Sequence, residues 1–198
     1  MSADGVKAWL LDLDGTLVNT HSANVAAYMD AIPYAIPRAR IEEGELRCRI
    51  EAGESCANFV PALVTDATAS EIALVAARKA DVYPSFLGLS TLNDVLVDEV
   101  RSWRKDGGAA VLVTTAKRPN AEAVLLHHDI TDLFDLKVFG DGIERLKPAP
   151  DIYLLAMRLA GLASDECLAF EDSDAGVEAA RAAGVEVVRI EWGHGYNG

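Results

Sequence analysis

The sequence has no apolar run long enough to cross a membrane. A membrane-spanning helix needs about 20 consecutive apolar residues, and the first apolar stretch, which begins at Ala8, is interrupted by Asp12 and Asp14. The same two acids break the stretch before it could form the apolar centre of a secretion signal. We therefore expect a cytoplasmic protein with no membrane partner.

Basic residues are also few. The 198 residues include 18 Lys and Arg against 31 Asp and Glu, which gives a formal net charge of −13. Proteins that bind nucleic acid or anionic membranes present basic patches. The charge balance predicts no nucleic-acid partner, and it requires that an anionic substrate be met by cations placed locally.

Cysteine is scarce. Cys48, Cys56 and Cys167 are odd in number and do not have the spacing of metal ligands. This usage disfavours a disulfide framework and a zinc site, and it suits a reducing compartment. The remaining composition, 51% hydrophobic and 25% charged, is ordinary for a globular protein that buries one main core.

Short apolar runs alternate with helical patterns over most of the chain. Continuous apolar runs suit strands that are covered on both faces, as in a parallel sheet. Strands that alternate with helices predict an α/β fold with a doubly wound, Rossmann-like parallel sheet. The predicted strands are 8–13, 109–114, 136–139, 167–170 and 185–190, and the predicted helices between them are 92–103, 118–127, 150–160 and 174–183.

Residues 21–86 break this alternation. They contain helical patterns separated by prolines and no convincing strand, which predicts an all-helical insertion. The sequence therefore predicts an α/β catalytic core formed by residues 1–20 and 87–198, and a helical domain formed by residues 21–86. The helices expected in the insertion are 22–32, 38–52, 54–64 and 69–80.

Polar side chains stand where three predicted strands end. The carboxyl ends of parallel strands meet at one edge of the sheet, where α/β proteins bind ligands. Residues two apart in an extended chain point to the same side, so the first two acids should lie together. We expect a single crevice that gathers carboxylates, a hydroxyl and an ammonium, from Asp12 and Asp14, Thr114, Lys147, and Glu171 with Asp172.

This set of groups limits the chemistry. Oxygen ligands without His or Cys favour a hard cation such as Mg²⁺. Phosphoryl transfer needs oxygens neutralised by a metal and a cation, and carboxylates serve as nucleophiles in it. We expect Asp12 to attack and Asp14 to transfer protons, with Gly15 allowing a tight turn behind them.

Four stretches, in this order, resemble the motifs of the haloacid dehalogenase-like hydrolase superfamily. They are DLDGTLV, VLVTT, LKPAPDIYL and FEDSDAGVEAA. They are most similar to the phosphatase and β-phosphoglucomutase-like branch, in which a helical cap follows the first motif. The resemblance covers nearly the whole chain. It implies a Mg²⁺-dependent phosphatase that hydrolyses a small phosphorylated metabolite through an aspartyl phosphate.

The resemblance also assigns roles to individual residues. Asp12 would be the nucleophile and Asp14 the general acid and base, both contacting Mg²⁺, the second through its main-chain carbonyl. Lys147 would hold the phosphate and the nucleophile. Asp172 would be a Mg²⁺ ligand, with Glu171 as an outer or alternative ligand. Thr114 would bind a phosphate oxygen, and Thr115 is the alternative, standing where relatives often have Asn.

Substrate selection is harder to assign. In the insertion, Asn24, Arg47 and Arg49 are candidates, although an arginine on an acidic helix usually makes a surface ion pair. Lys117 and Arg118 follow the second strand and could meet substrate anions or simply be solvated charges at a helix start. The chain departs from the family at Asn19, where relatives usually have Asp, and in the return segment PSFLGLSTLND.

Three other functions compete with a phosphatase. A phosphomutase of the same branch would return the phosphoryl group to a sugar. A non-catalytic module similar to a receiver domain also uses Asp, Thr and Lys, although the insertion and Asp14 argue against it. Dehalogenation needs neither Asp14 nor Mg²⁺. In each case we expect a monomer or a homodimer and a small-molecule partner.

Overall fold

The computed structural model of the protein describes residues 5–192. The strands are β1 (Ala8–Leu11), β2 (Val18–Asn19), β3 (Thr91–Leu92), β4 (Ala109–Val113), β5 (Leu136–Val138), β6 (Cys167–Glu171) and β7 (Glu186–Arg189). The helices are α1 (His21–Ala35), α2 (Glu43–Glu51), α3 (Cys56–Leu63), α4 (Ala69–Phe86), α5 (Asp94–Lys105), α6 (Arg118–His127), α7 (Asp151–Ala160) and α8 (Asp174–Ala182). Single 3₁₀ turns lie at Leu87–Leu89, Thr131–Leu133 and Ser164–Glu166.

Five strands form a parallel sheet in the order β5-β4-β1-β6-β7. The chain moves outward from β1 through β4 to β5, and then returns to the other side of β1 with β6 and β7. The order therefore reverses beside β1, which is where open α/β sheets bind ligands beyond the strand ends. The predicted α/β fold with a parallel sheet is confirmed. The short strands β2 and β3, which pair separately, were not predicted.

Helices cover both faces of the sheet, which explains why β1 is apolar at every position. Leu10 faces a cluster that includes Ile152 of α7 and Ala179 of α8. On the opposite face, Trp9 stacks on Trp103 of α5, with ring centroids 5.1 Å apart. Burial on both faces selects for a continuous apolar strand, as the sequence pattern indicated.

Contacts between α-carbons divide the chain into two units, with boundaries between Asn19 and Thr20 and between Thr91 and Leu92. The second boundary lies five residues later than the sequence-based division after residue 86. Helix α4 continues to Phe86, and the 3₁₀ turn that follows it contacts α1 and α4.

The helical unit has an apolar core of its own. Phe59 packs edge-on against Tyr28, with ring centroids 4.8 Å apart, inside a cluster contributed by all four of its helices. At the start of α4, Thr68 and Glu71 form a capping box. Arg38 pairs with Glu71 and with Asp66. Helix α2 begins later than the predicted residue 38, because the segment around Arg38 instead reaches across to the start of α4.

The described part of the chain contains no helix that is both long and apolar enough to span a bilayer. All three cysteines are free thiols. Cys48 is exposed and Cys167 is buried.

Candidate active site

The ends of β1, β4 and β6 bring the predicted core residues together. Asp12 directly follows β1, and its main-chain N–H donates to the carbonyl of Phe170 in β6 at 3.1 Å. Glu171 is the last residue of β6 and Asp172 follows it. Thr114 directly follows β4. The parallel register therefore sets these side chains at one edge of the sheet.

Lys147 reaches this edge of the sheet from the loop before α7. Its ammonium group donates to Asp12 Oδ1 at 2.6 Å and to Glu171 Oε1 at 2.5 Å. A third hydrogen bond, of 3.0 Å, goes to the main-chain carbonyl of Val113 in β4. The lysine side chain is only 6% exposed. The ammonium therefore makes three hydrogen bonds, to groups at the ends of β1, β4 and β6.

The charges of these groups determine the protonation of Lys147. Burial lowers the pKa of the ammonium, but the adjacent carboxylates of Asp12 and Glu171 outweigh it, so the pKa lies above its ordinary value. Lys147 is therefore a permanent cation at neutral pH. Such a group can hold the negative oxygens of a phosphoryl group without itself exchanging a proton.

Negative charge is nevertheless in excess. Burial raises the pKa of Asp12 well above its ordinary value, Glu171 and Asp172 raise it further, and Lys147 opposes them. Three carboxylates, two of them buried, thus lie around a single ammonium, which bonds to Asp12 and Glu171. Ligand oxygens of Asp12, Glu171 and Asp172 lie within 4.8 Å of one another. This all-oxygen set fits Mg²⁺, because a hard cation would supply the missing positive charge.

The turn after Asp12 is built around Asp172. Gly15 has a φ of +90°, and a β-carbon there would lie 2.1 Å from Asp172 Oδ2. The hydroxyl of Thr16 donates to Asp172 Oδ1 at 3.2 Å. Position 15 therefore requires glycine for two reasons: the positive φ angle, and the close approach of the Asp172 carboxylate. Asp14 lies in the same turn and is half-buried.

Thr114 is buried, and its hydroxyl oxygen accepts a hydrogen bond from the main-chain N–H of Ala116 at 3.1 Å. Because the oxygen accepts there, the hydroxyl proton is available for another acceptor. Thr115 is half-buried. Its carbonyl oxygen lies so near Gly140 that a β-carbon on that glycine would be 2.1 Å away. The choice of Thr114 over Thr115 as the phosphate ligand stays a prediction.

Lys117 and Arg118 mark the start of α6 and are exposed. The main-chain N–H of Arg118 donates to Asp141 at 2.6 Å, and its guanidinium pairs with Glu122. These contacts match a solvated helix start. A role for either residue in substrate binding stays a prediction.

Asn24 and Arg49 belong to the helical unit. The amide of Asn24 donates to the hydroxyl of Thr20 at 3.1 Å and also bonds its carbonyl. Arg49 pairs with Glu45 and Glu54. Arg47, the third candidate, pairs with Glu43. Each side chain thus has a partner inside its own unit, and their role in substrate selection stays a prediction.

Sequence reasoning missed several residues around the site. The hydroxyl of buried Tyr153 donates to Glu171 Oε1 at 2.6 Å. The indole N–H of Trp192 donates to the carbonyl of Gly15, and Asn93 donates to the carbonyl of Thr16 at 3.2 Å. Tyr153 stands inside the motif LKPAPDIYL, so its position six residues after Lys147 was a usable signal. The other two bond main-chain atoms far away in sequence, which no local pattern reveals.

A comparison with protein families decides the identity of this fold and site. The sequence profile described as haloacid dehalogenase-like hydrolase matches residues 6–184. The chain belongs to this family. The resemblance read from the four motifs is therefore confirmed.

Relatives among the haloacid dehalogenase-like hydrolases span nearly the whole chain. Fructose-1-phosphate phosphatase YqaB from Escherichia coli (strain K12) is 29% identical over 184 residues, which cover 91% of this chain and 94% of the relative. Protein CbbY from Cereibacter sphaeroides is 28% identical over 191 residues, covering 92% and 83%. Validoxylamine A 7'-phosphate phosphatase from Streptomyces hygroscopicus subsp. limoneus is 28% identical over 198 residues, covering 95% and 87%.

Solved structures of the family share the fold. The crystal structure of CbbY from Rhodobacter sphaeroides in complex with phosphate superposes with a TM-score of 0.79 at 27% identity, covering 92% of this chain and 84% of that one. A putative β-phosphoglucomutase from Thermotoga maritima gives a TM-score of 0.71 at 26% identity, covering 98% and 88%. The family and the relatives named as phosphatases confirm the predicted enzyme class, a phosphoric monoester hydrolase.

Proposed function

We propose that the protein is a Mg²⁺-dependent phosphatase that hydrolyses a small phosphorylated sugar or a similar metabolite, with Asp12 as the nucleophile. The observation that carries the proposal is the 2.6 Å contact between Lys147 Nζ and Asp12 Oδ1 in a buried cluster of carboxylates. Lys147 places a cation beside the attacking carboxylate of Asp12, and the surrounding carboxylates leave an excess of negative charge. A bound metal ion would neutralise that excess and allow a phosphate group to enter the site.

In the first step, a carboxylate oxygen of Asp12 attacks the phosphorus atom of the substrate. The bond between this oxygen and phosphorus forms as the ester bond to the leaving oxygen breaks. Lys147 holds the phosphoryl oxygens and keeps Asp12 in place, and the hydroxyl of Thr114 donates to a phosphoryl oxygen. Asp14 gives its proton to the leaving oxygen, which departs as an alcohol.

In the second step, water attacks the phosphorus atom of the aspartyl phosphate. Asp14 now acts as the base and takes a proton from the water molecule, which regenerates the acid form that the next cycle needs. The bond between phosphorus and Asp12 breaks, inorganic phosphate leaves and the Asp12 carboxylate is restored. The same residue therefore serves as acid and base in turn.

Magnesium would be held by Asp12, Asp172 and the main-chain carbonyl of Asp14, with Glu171 as an outer or alternative ligand. When bound, the ion would neutralise phosphoryl oxygens and the excess charge of the carboxylates. The donor set supports this assignment because it consists of oxygens alone.

The substrate class rests on the relatives. Fructose 1-phosphate is named for YqaB, and phosphorylated carbohydrates are named for a Thermotoga maritima phosphatase that is 40% identical over 77 residues. A phosphorylated sugar or polyol is therefore our first expectation. We assign substrate selection to the helical domain, predicted as residues 21–86, with Asn24 and Arg49 as candidates.

A panel of phosphorylated sugars, polyols and small acids tests the function. We expect phosphate release from at least one sugar phosphate in the presence of Mg²⁺, and none from a folded Asp12→Asn variant. If the variant retains turnover, the nucleophile is not Asp12. If no phosphomonoester is hydrolysed at any Mg²⁺ concentration, the proposal as a whole is wrong.

A phosphomutase is the second candidate, favoured by the structural similarity to a putative β-phosphoglucomutase. Incubation with a hexose phosphate separates the two activities. The phosphatase releases inorganic phosphate, whereas a mutase produces an isomeric hexose phosphate without net phosphate release. The cytoplasmic setting and the monomeric or homodimeric state stay predictions.

A further inference from the structure

The carboxylate of Glu171 accepts two hydrogen bonds on one oxygen atom. Tyr153 Oη donates to Oε1 at 2.6 Å, and Lys147 Nζ donates to the same oxygen at 2.5 Å. Tyr153 is fully buried and Glu171 is 1% exposed. Because a carboxylate oxygen can only accept, the tyrosine hydroxyl is the donor of this hydrogen bond.

The other side of the Glu171 carboxylate rests against Gly176 in the first turn of α8. A β-carbon at position 176 would lie 2.0 Å from Glu171 Oε2 and 2.1 Å from the carboxyl carbon. The carboxylate thus occupies the space that any larger residue would fill. A negative charge is also favoured near the N-terminus of a helix. Glu171 is fixed between α7 and α8.

Apart from its hydroxyl, Tyr153 is a core residue, and its ring, which phenylalanine would keep, lies 5.3 Å from the Lys147 ammonium. It packs in the apolar cluster beneath the sheet with Ile152 and Ala156. A phenylalanine would fill almost the same volume, and a buried hydroxyl destabilises a core unless it is hydrogen-bonded. The hydroxyl donates its hydrogen bond to Glu171. Any effect of the Tyr153 hydroxyl on catalysis is therefore expected to act through the Glu171 carboxylate.

We propose that Tyr153 is a positioning residue for Lys147, acting through Glu171. The Lys147 ammonium is shared between Glu171 and Asp12, so the place where Glu171 is held sets the place of the ammonium beside the nucleophile. Tyr153 holds Glu171 from one side and the absence of a side chain at Gly176 makes room on the other. The inference rests on the proposed function, since it assumes that Lys147 serves a phosphoryl group.

The first test compares Tyr153→Phe with wild type in phosphate release. We expect kcat to fall about tenfold, the size typical of losing a hydrogen bond to a charged group, while KM changes less than twofold. Ile152→Val is the matched control, because it alters the preceding buried residue of α7 without touching the site. Its kcat should stay within twofold of wild type. A Tyr153→Phe enzyme with unchanged kcat overturns the proposal.

The second test moves Glu171 from the opposite side. Gly176→Ala forces the carboxylate away, while alanine favours the helix more than glycine does. We expect kcat to fall, and the higher helix propensity of alanine to offset part of the stability that is lost to the displaced carboxylate. Because both substitutions act on Glu171, the double variant should lose less than the product of the two single effects. Fully multiplicative losses contradict a shared route.

Crystal structures provide a readout that does not depend on turnover. In the Tyr153→Phe structure we expect the distance between Lys147 Nζ and Glu171 Oε1 to exceed about 3.5 Å, beyond which the two atoms are no longer hydrogen-bonded. An unchanged contact overturns the positioning role even if activity falls. If wild type hydrolyses no phosphomonoester, the proposed function fails and this distance alone still decides the role of Tyr153.

Discussion

Lys147 donates a hydrogen bond of 2.6 Å to Asp12, although 135 residues separate them in the chain. The sheet explains this proximity. Asp12 directly follows the central strand β1, and the loop before α7 returns to the same edge, where the lysine also donates to the carbonyl of Val113 in β4. Because the pair is buried, the charge of each partner is stabilised mainly by the opposite charge of the other.

Replacing Lys147 by methionine should abolish activity and destabilise the core unit. The variant removes the cation from Asp12 and Glu171, and breaking a buried pair in this way costs about 3–5 kcal/mol. We also expect kcat to fall at least about a hundredfold, as for other lost electrostatic contacts to reacting oxygens. Denaturant unfolding and phosphate release measure the two effects.

Lys7→Met is the matched control for this prediction. Lys7 pairs with Glu166 at the same distance, 2.6 Å, but its side chain is 64% exposed. Surface pairs contribute little because water and salt screen them. The control should retain activity and stability. Equal destabilisation by the two variants would contradict a special role for the buried pair.

Magnesium should stabilise the folded protein through Asp172. A ligand at a hundredfold excess over its dissociation constant adds about 2.7 kcal/mol to the free energy of unfolding. We expect Mg²⁺ to raise the melting temperature of wild type, and a chelator to reverse the rise and abolish phosphate release. In Asp172→Asn the rise should disappear.

Asp174→Asn serves as the control for metal binding. Its side chain lies two residues further along and is 96% exposed. The Mg²⁺-dependent rise in melting temperature should be intact in this variant. A rise that survives in Asp172→Asn, or activity that is insensitive to chelation, would exclude the assigned metal site.

Glu71 should make the free energy of unfolding depend on pH in the acidic range. Arg38, together with the main-chain N–H and hydroxyl of Thr68, lowers the pKa of Glu71 from 4.5 to about 2. Since the folded state binds the proton more weakly than the unfolded state, the stabilisation is complete above pH 4.5 and is lost as the pH falls towards 2. The difference in free energy of unfolding between wild type and Glu71→Gln should therefore shrink over this range.

Urea unfolding at a series of pH values measures that difference. If the difference for Glu71→Gln is constant between pH 4.5 and 2, the ion pair with Arg38 does not stabilise the folded state.

Much of this protein follows from its sequence because strong local patterns agree with its fold. The apolar run at β1 predicts a strand that is buried on both faces, and α6 has the predicted bounds of residues 118–127. The turn at Gly15 and the clustering of Asp12 with Asp172 follow from the parallel sheet, which gathers strand ends.

Other features depend on tertiary contacts that no local pattern encodes. The pairing of β2 with β3 involves strands of two residues each, too short for a periodic signal. The hydrogen bond from Trp192 to Gly15 joins residues 177 apart. The motif LKPAPDIYL draws attention to Tyr153, but the hydrogen bond from its hydroxyl to Glu171 is visible only in the structure.

The most direct test of the account is to identify the phosphorylated residue during turnover. A substrate that carries a radioactive phosphoryl group, mixed with the enzyme and quenched in acid within milliseconds, should label the peptide containing Asp12, and the label should disappear as phosphate is released. Asp12→Asn should show neither label nor turnover. Rapid phosphate release with no labelled Asp12 would contradict covalent catalysis, and a label that persists without release would indicate a phospho-accepting module.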